Sequence, residues 1–194
     1  MALHRFRRAD LLAQPWKNGG GVTTELACMP VGASMAQFDW RVSIAHIASN
    51  GPFSAFPGTD RVITLLEGAG VALRSPDGQI NHRLHTPLQP FSFDGAAQVS
   101  AELLGPDCHD FNVMTRRAAC KSQVEVLHGA TSLPVVRQGL LYSAAGSWRV
   151  NAHALAPEEG LWWTDDLCEW KAAPDNAGGA LIAVLIEMHM RATP

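Results

Sequence analysis

The side chains best suited to binding chemistry are two arginines, a serine, an aspartate and an asparagine, spread over three segments predicted to be strands. They are Arg41, Ser43, Arg61, Asp110 and Asn112. Two guanidiniums can bind one or two carboxylates through paired hydrogen bonds, an amide supplies a donor and an acceptor, and an aspartate can hold an arginine in place. If the three segments converge, this set is typical of a site for a small acidic metabolite.

Strand alternation decides which of these side chains share a face. In WRVSIA, residues 40–45, Arg41 and Ser43 point to one side and the large apolar residues point to the other. Asp110 and Asn112 share a face of a later segment in the same way. We predict that these polar faces line one cavity. The alternative interpretation is that Arg41 meets water on the outside of the sheet, because arginine is rarely buried without a partner.

A run of three glycines follows Trp16, Lys17 and Asn18 in PWKNGGGVTTE, residues 15–25. A phosphate-binding P-loop needs its lysine and hydroxyl after the last glycine, whereas Lys17 comes before the run. We interpret the run as a tight turn entering a strand, or as a loop that approaches the site closely and brings Lys17 and Asn18 to its mouth. For Lys17 the alternative is a solvated surface residue. Glu25 is predicted to pair with Lys17 or an arginine, or else to be a surface acid.

Composition places the 194-residue chain among ordinary globular proteins, since 47% of its residues are hydrophobic, 17% are charged and its net charge is −3. This balance predicts no direct nucleic-acid partner. The charged start of the chain lacks the apolar run of a signal peptide, and the longest apolar stretch, Ala180–Ile186, is too short to cross a bilayer. We therefore expect a cytoplasmic protein with no membrane partner. The four cysteines show no metal-binding spacing and are expected to be free thiols.

Short apolar or alternating runs, separated by turn signals, recur along the chain and predict an all-β barrel or sandwich. The predicted strands are Phe38–Ile47, Arg61–Leu66, Gly70–Arg74, Gln79–Leu84, Val99–Leu104, Phe111–Thr115, Gln123–Leu127, Leu140–Ser143, Trp148–Leu155, Leu161–Trp163 and Ala180–Met188. One short helix is predicted near Arg8–Gln14. A faint repeat relates residues 65–73 to residues 140–148 and indicates a double barrel.

Several segments together resemble the HutD/Ves family of small cupin-like proteins. They are PWKNGGGVTTELA, FDWRVSIAHIASNGPFSAFPGTDRVITLLEGAGVAL, FDG and GPDCHDFNVMTRR, and they span residues 14–117. The resemblance implies a cupin (RmlC-like) double-stranded β-helix in a bicupin-like double barrel. The first barrel is then expected at residues 1–117 and a second, degenerate barrel at residues 118–194. The alternative is one domain with interleaved strands.

Some members of this family sit in histidine-utilisation operons, where a regulatory or metabolite-sensing role has been proposed, and no reaction is established for the family. The resemblance therefore implies a cupin that binds a small carboxylate, such as urocanate or formylglutamate, and so modulates histidine catabolism. The residues expected to bind this ligand are Lys17, Asn18, Glu25, Arg41, Ser43, Arg61, Asp110 and Asn112. No residue is assigned a catalytic role.

Two other functions stay open. A metal-independent enzyme acting on a similar acid would use His46 or His109 as its base and the two arginines as carboxylate anchors. A structural or interaction protein would use its apolar second sheet to form a homodimer. We expect no cofactor and no metal, because metal-dependent cupins carry an H-x-H motif with a glutamate, whereas Gly51–Gly70 contains no histidine.

Overall fold

A computed structural model describes residues 2–189. Within that range the regular structure consists of strands and a single 3-10 turn, Arg8–Asp10. The strands are β1 (Ala2–Arg7), β2 (Ala13–Pro15), β3 (Gly21–Met29), β4 (Trp40–Ile47), β5 (Gly51–Pro52), β6 (Thr59–Gly68), β7 (Val71–Arg74), β8 (Asn81–Leu84), β9 (Pro90–Asp94), β10 (Ser100–Leu103), β11 (Cys108–Arg116), β12 (Cys120–Leu127), β13 (Thr131–Ser132), β14 (Gln138–Ala145), β15 (Trp148–Val150), β16 (His153–Leu155), β17 (Glu159–Thr164), β18 (Lys171–Pro174) and β19 (Ala180–Met188). The all-β class is confirmed. The described part of the chain holds no helix long and apolar enough to cross a membrane.

The chain divides into two compact units. The first unit is Leu12–Ala118, and the second comprises residues 2–11 and 119–189. Residues 2–11 are predicted from the sequence to belong to the first barrel, but β1 pairs antiparallel with β17 over all of its residues and so belongs to the second unit. A local sequence pattern does not reveal a pairing between segments so far apart in the chain.

Two antiparallel sheets form the first unit. One has the strand order β2-β3-β4-β11-β6-β9, and the other has the order β5-β10-β7-β8. Apolar side chains of both sheets meet in one hydrophobic cluster, with Ile47, Ile63 and Leu65 from the larger sheet and Val71 and Leu73 from the smaller. Strand alternation turns these residues to the same side as the polar residues of β4 and β11, so core and polar site share one interior.

The second unit also has two sheets, with the strand orders β1-β17-β14-β19-β12 and β13-β18-β15-β16. Its core contains Trp148, Trp163 and Trp170, together with leucines and alanines. A Cβ added at Gly139 would lie 2.5 Å from the ring of Trp163. The glycine therefore leaves the space that this ring occupies, and aromatic packing fills the interior at that point.

The same order of eight strands occurs in both units. In the first unit the orders β4-β11-β6-β9 and β5-β10-β7-β8 lie in the larger and the smaller sheet. The second unit repeats both orders as β12-β19-β14-β17 and β13-β18-β15-β16. Each strand number there is eight higher than that of its counterpart in the first unit. The repeat seen faintly at residues 65–73 and 140–148 thus extends over eight strands of each unit, with β2 and β3 added in the first and β1 in the second.

Some strands differ from their predicted bounds for local reasons. The predicted strand Trp148–Leu155 is a hairpin, because β15 pairs with β16 and Asn151 lies in the turn with a positive φ of 50°. Strand β3 begins inside the glycine run, and β9 begins with a proline, which an edge strand accepts. Glycine and proline are turn signals in a sequence, so neither strand is among those predicted.

Candidate functional site

The first unit contains a cleft of about 590 Å³. The segment Gln14–Asn18, the strands β4, β6 and β11, and residues 52–56 supply its walls. Six of the eight predicted ligand-binding residues line it, namely Lys17, Asn18, Arg41, Ser43, Arg61 and Asn112. Three of these are cationic, and none of the described residues lining the cleft is acidic. The described lining of the cleft therefore carries a net positive charge.

The register of the larger sheet brings these residues together. Arg41 of β4 and Arg61 of β6 both lie opposite Met114 of the intervening strand β11. Ser43 lies opposite Asn112 in the same way. Because neighbouring strands are about 4.8 Å apart, the backbones of the two arginines are roughly 10 Å apart, and their side chains rise from the same face.

Arg61 is a buried arginine whose charge has no carboxylate partner among the described residues. Its side chain is buried, with 8% of the residue exposed. Nη2 donates to Oδ1 of Asn112 at 3.2 Å, Nη1 donates weakly to the carbonyl of Ser54 at 3.4 Å, and Nε has no hydrogen-bond partner. Burial, together with the positive charge of Arg41, lowers the pKa of Arg61 to about 10. Both effects disfavour the charged form, and the charge of Asp110 opposes them only in part.

Three phenylalanine rings surround the Arg61 guanidinium. Its central carbon lies 5.3 Å from the ring centroid of Phe53, 5.8 Å from that of Phe56 and 5.0 Å from that of Phe93. Rings at this distance attract a cation through their electron-rich faces and exclude water from it. This cage is not among the features predicted from the sequence, although the spacing of the two phenylalanines in FSAF, just before β6, was available as a signal.

Arg41 is partly compensated. Its Nε donates to Oε2 of Glu25 at 2.7 Å, and its Nη1 donates to Oγ of Ser43 at 3.3 Å. Glu25 is exposed and does not line the cleft, so the structure places it behind Arg41 as a pairing residue. Glu25 is predicted to pair with Lys17 or an arginine, and its partner is the arginine Arg41.

The glycine run brings its backbone against neighbouring strands. A Cβ at Gly21 would lie 2.3 Å from the carbonyl oxygen of His46 and 3.2 Å from the ring of Trp16. The indole of Trp16 donates to Oγ1 of Thr23 at 2.7 Å, and the side chain of Asn18 accepts from the N–H of Gly20 at 3.0 Å. Gly21 is thus a close-approach glycine, and the segment before the run forms one wall of the cleft.

Asp110 differs from its predicted place. It shares the inward face of β11 with Asn112, but it is fully buried, does not line the cleft and makes no hydrogen bond or ion pair with either arginine. Its Oδ1 accepts a weak contact from the thiol of Cys108 at 3.8 Å, and its Oδ2 has no partner. Burial raises the pKa of Asp110 to about 7, although the Cys108 contact and the charge of Arg61 oppose this.

The two candidate bases lie on the other face of the sheet. His46 alternates with Ala45 and Ile47, which line the cleft, and so points away from it. The rings of His46 and His109 stack with centroids 4.7 Å apart, and Nε2 of His46 lies 3.0 Å from a carboxylate oxygen of Asp107. No group of three or more His, Cys, Asp or Glu residues within residues 2–189 could hold a metal ion.

Known proteins resemble this chain over most of its length. The profile of the HutD family matches residues 8–182. Protein Ves of Cronobacter sakazakii is 43% identical over 151 residues, which are 77% of this chain and 81% of that protein. HutD from Pseudomonas fluorescens SBW25 superposes with a TM-score of 0.86 at 30% identity, covering 97% of this chain and 100% of its own. A conserved protein of unknown function from Pseudomonas aeruginosa PAO1 gives a TM-score of 0.85 at 28% identity, covering 96% of this chain and 100% of its own.

Proposed function

The chain belongs to the HutD family, and we propose that it binds a small carboxylate in the cleft of its first unit. The observation that carries this proposal is the buried, aromatic-caged guanidinium of Arg61, which has no carboxylate partner among the described residues. Removing a cation from water costs several kcal/mol unless an anion compensates it. A ligand carboxylate would supply that compensation.

The donors in the cleft suit a planar carboxylate. Nη1 of Arg61 donates only weakly, at 3.4 Å, to the carbonyl of Ser54, and Asn112 and Ser43 lie opposite each other as neutral polar groups of the same cleft. A guanidinium presents its N–H groups as a planar fork that matches the two oxygens of a carboxylate. The rings of Phe53, Phe56 and Phe93 lower the local dielectric constant and so strengthen the attraction between the two charges.

The size of the cleft fits a single small metabolite. Its volume of about 590 Å³ falls within the range of roughly 300–1,000 Å³ that is typical of small-molecule sites. We propose urocanate or formylglutamate as the ligand and the modulation of histidine utilisation in the cytoplasm as the role, in keeping with the family resemblance. The P. fluorescens HutD structure was obtained in a formate condition, and formate is the smallest carboxylate with which to probe this cleft.

The lining favours binding over acid–base chemistry. Apart from the two arginines, the titratable residue that lines the cleft in the described chain is Lys17, which is exposed. A metal-independent enzyme needs a positioned acid or base within hydrogen-bond reach of its substrate. His46 and His109 do not line the cleft. The geometry therefore supports a carboxylate-binding protein better than a metal-independent enzyme.

We also propose that the two units are the two barrels of a bicupin. The support is the strand order of β4–β11, which recurs in β12–β19 within an all-β, cupin-like fold. The second unit would then be the degenerate barrel, because Trp163 fills the space left at Gly139. An experimental structure in which the two sheets of each unit close into a barrel is the expected result, and open sheets would contradict it.

The binding proposal is tested by thermal unfolding in the presence of formylglutamate, urocanate and formate, with chloride at matched ionic strength as the control. A ligand that binds only the native state raises the melting temperature in a saturable way, whereas a general salt effect does not distinguish these anions. The expected result is a larger, saturable shift with the carboxylates. Equal shifts with the carboxylates and with chloride would remove the case for carboxylate binding.

A further inference from the structure

The inward face of β11 carries a row of polar groups that leads from the cleft into the core. Asn112 lines the cleft and accepts a hydrogen bond from Arg61. Asp110 lies two residues before Asn112 in the sequence, and Cys108 lies two residues before Asp110. Asp110 is 0% exposed, and its Oδ2 has no hydrogen-bond partner. A carboxyl group is thus buried two residues along β11 from the amide that accepts from Arg61, and the Nε of that arginine is also without a partner.

The charged groups that face Asp110 are few. From β6, Arg61 attracts it, and from β11 the thiol of Cys108 contacts it at 3.8 Å. On β4, the charge of Arg41 acts on Arg61, and Arg41 is already paired with Glu25. The smaller sheet contributes apolar side chains of β7, β8 and β10 to the core beside it. His82 of β8 is a titratable side chain near this core, and its ring stacks on Phe91 with centroids 3.8 Å apart.

We propose that carboxylate binding in the cleft is coupled to protonation of Asp110, so that the protonated side chain belongs to the binding form and the ionised side chain competes with the ligand for Arg61. The inference rests on the proposed function, because it concerns the same cleft. It adds that Asp110 takes up a proton when the ligand binds.

The physical reason is a balance of charges around one cation. A ligand carboxylate and an ionised Asp110 would place two negative charges near the single buried charge of Arg61, and the repulsion between them is weakly screened in a low-dielectric interior. A proton on Asp110 removes that repulsion and leaves Arg61 to the ligand. Burial raises the pKa of Asp110 to about 7, so both forms are populated at ordinary pH.

The sign of the coupling follows from linkage. A bound anion raises the pKa of Asp110 further, so the complex holds more protons than the free protein above about pH 7. Ligand affinity is therefore constant below that pH and falls above it, by up to about tenfold per pH unit for one coupled proton. The nearby thiol does not take part in this range, because burial raises the pKa of Cys108 to about 12.

The test is isothermal titration calorimetry of the whole chain with formylglutamate and with formate. Their carboxyl groups stay ionised above about pH 5.5, whereas urocanate carries an imidazole that titrates in the same range. Binding near neutral pH in two buffers with different ionisation enthalpies gives the number of protons taken up per ligand. We expect a fraction of one proton taken up, and a Kd that rises from about pH 7 upward.

Asp110→Asn should abolish both the proton uptake and the rise in Kd, while Asp107→Asn should keep both. Asp107 is an exposed neighbour in sequence that pairs with His46 on the other face, so it serves as a matched control. His82→Gln should also keep the proton uptake. If Asp110→Asn does not fold, the calorimetry of the unaltered protein still decides the question.

The outcomes separate the two proposals. Binding with the same Kd across the pH range and no proton exchange would overturn the coupling and leave carboxylate binding intact. Proton uptake that persists in Asp110→Asn would also overturn it, because another group would carry the proton. No binding of either probe at any pH would refute the proposed function and this inference together.

Discussion

Arg61 donates a hydrogen bond from Nη2 to Oδ1 of Asn112 across 3.2 Å, and this bond joins β6 to β11 at the wall of the cleft. The acceptor is a neutral amide, so the bond orients the guanidinium without cancelling its charge. The three surrounding rings hold the same group in place and keep water from it. The guanidinium is therefore held in one orientation while its charge has no carboxylate partner among the described residues.

Arg61→Lys should remove most of the stabilisation by formylglutamate, although it keeps the positive charge. A ligand at a hundredfold excess over its Kd adds about 2.7 kcal/mol to the free energy of unfolding, or roughly 5–10 °C in Tm for a chain of this size. An ammonium reproduces neither the planar fork nor the stacking on phenylalanine. Thermal unfolding with and without ligand measures the loss. The control is Arg74→Lys, an exposed arginine outside the cleft, which should keep the full shift.

Asn112→Asp should weaken carboxylate binding by more than about tenfold, because it places an internal anion beside the Arg61 guanidinium. The two side chains have nearly the same shape, so the change is one of charge. Calorimetric titration with formate measures the affinity, and Asn81→Asp on the exposed face of β8 is the matched control. An unchanged Kd in Asn112→Asp would show that the ligand does not approach Arg61.

The part of the site that the sequence predicts is the part fixed by strand alternation. Period two is a local property of the chain, so the order of residues alone is enough to place Arg41 with Ser43, and Asp110 with Asn112, on shared faces of their strands. Alternation shows on which face of a strand a side chain lies, but not how deeply that side chain is buried. Asp110 shares the face of Asn112 yet lies below the cleft, because the core of the two sheets covers that end of β11.

The parts that the sequence does not predict depend on pairings between distant segments. The cage around Arg61 combines Phe53 and Phe56 from a loop with Phe93 from β9, which becomes its neighbour only through the pairing of β6 with β9. The pairing of Glu25 with Arg41 crosses a bulge in β3 that follows Glu25. Strand β1 joins the second unit through its pairing with β17.

Asp110→Asn should stabilise the protein, and the gain should grow with pH. The pKa of Asp110 is about 7 in the folded protein and about 3.9 when unfolded, so the folded state binds the extra proton between these values. Stability of the unaltered protein therefore falls as pH rises from about 4 to about 7 and levels off above, by up to roughly 4 kcal/mol. Urea unfolding of both proteins at about pH 5 and about pH 8 measures the difference. An equal gap at both pH values would contradict a buried, ionisable Asp110.

We expect purified protein to hold no stoichiometric iron, zinc, nickel or manganese. The segment Gly51–Gly70 has no histidine, and no group of three or more His, Cys, Asp or Glu residues within residues 2–189 could hold an ion. Elemental analysis after dialysis against a chelator measures the content, and the Tm should not change on chelation. Metal that survives the chelator at one ion per chain would contradict this.

Gly21→Ala should destabilise the first unit and weaken ligand binding together. The added methyl would lie 2.3 Å from the carbonyl oxygen of His46, a backbone atom of β4 that cannot move without disturbing the sheet, and 3.2 Å from the indole of Trp16. Overpacking of this kind costs typically about 1–3 kcal/mol. Because Trp16 lines the cleft, its displacement should also raise the Kd for formate.

Urea unfolding followed by tryptophan fluorescence measures the stability. The control is Gly129→Ala, where an added Cβ meets nothing within 4 Å, so its stability should change by no more than about 0.5 kcal/mol. Equal effects of the two substitutions would show that the close approach at Gly21 is not what shapes this wall of the cleft.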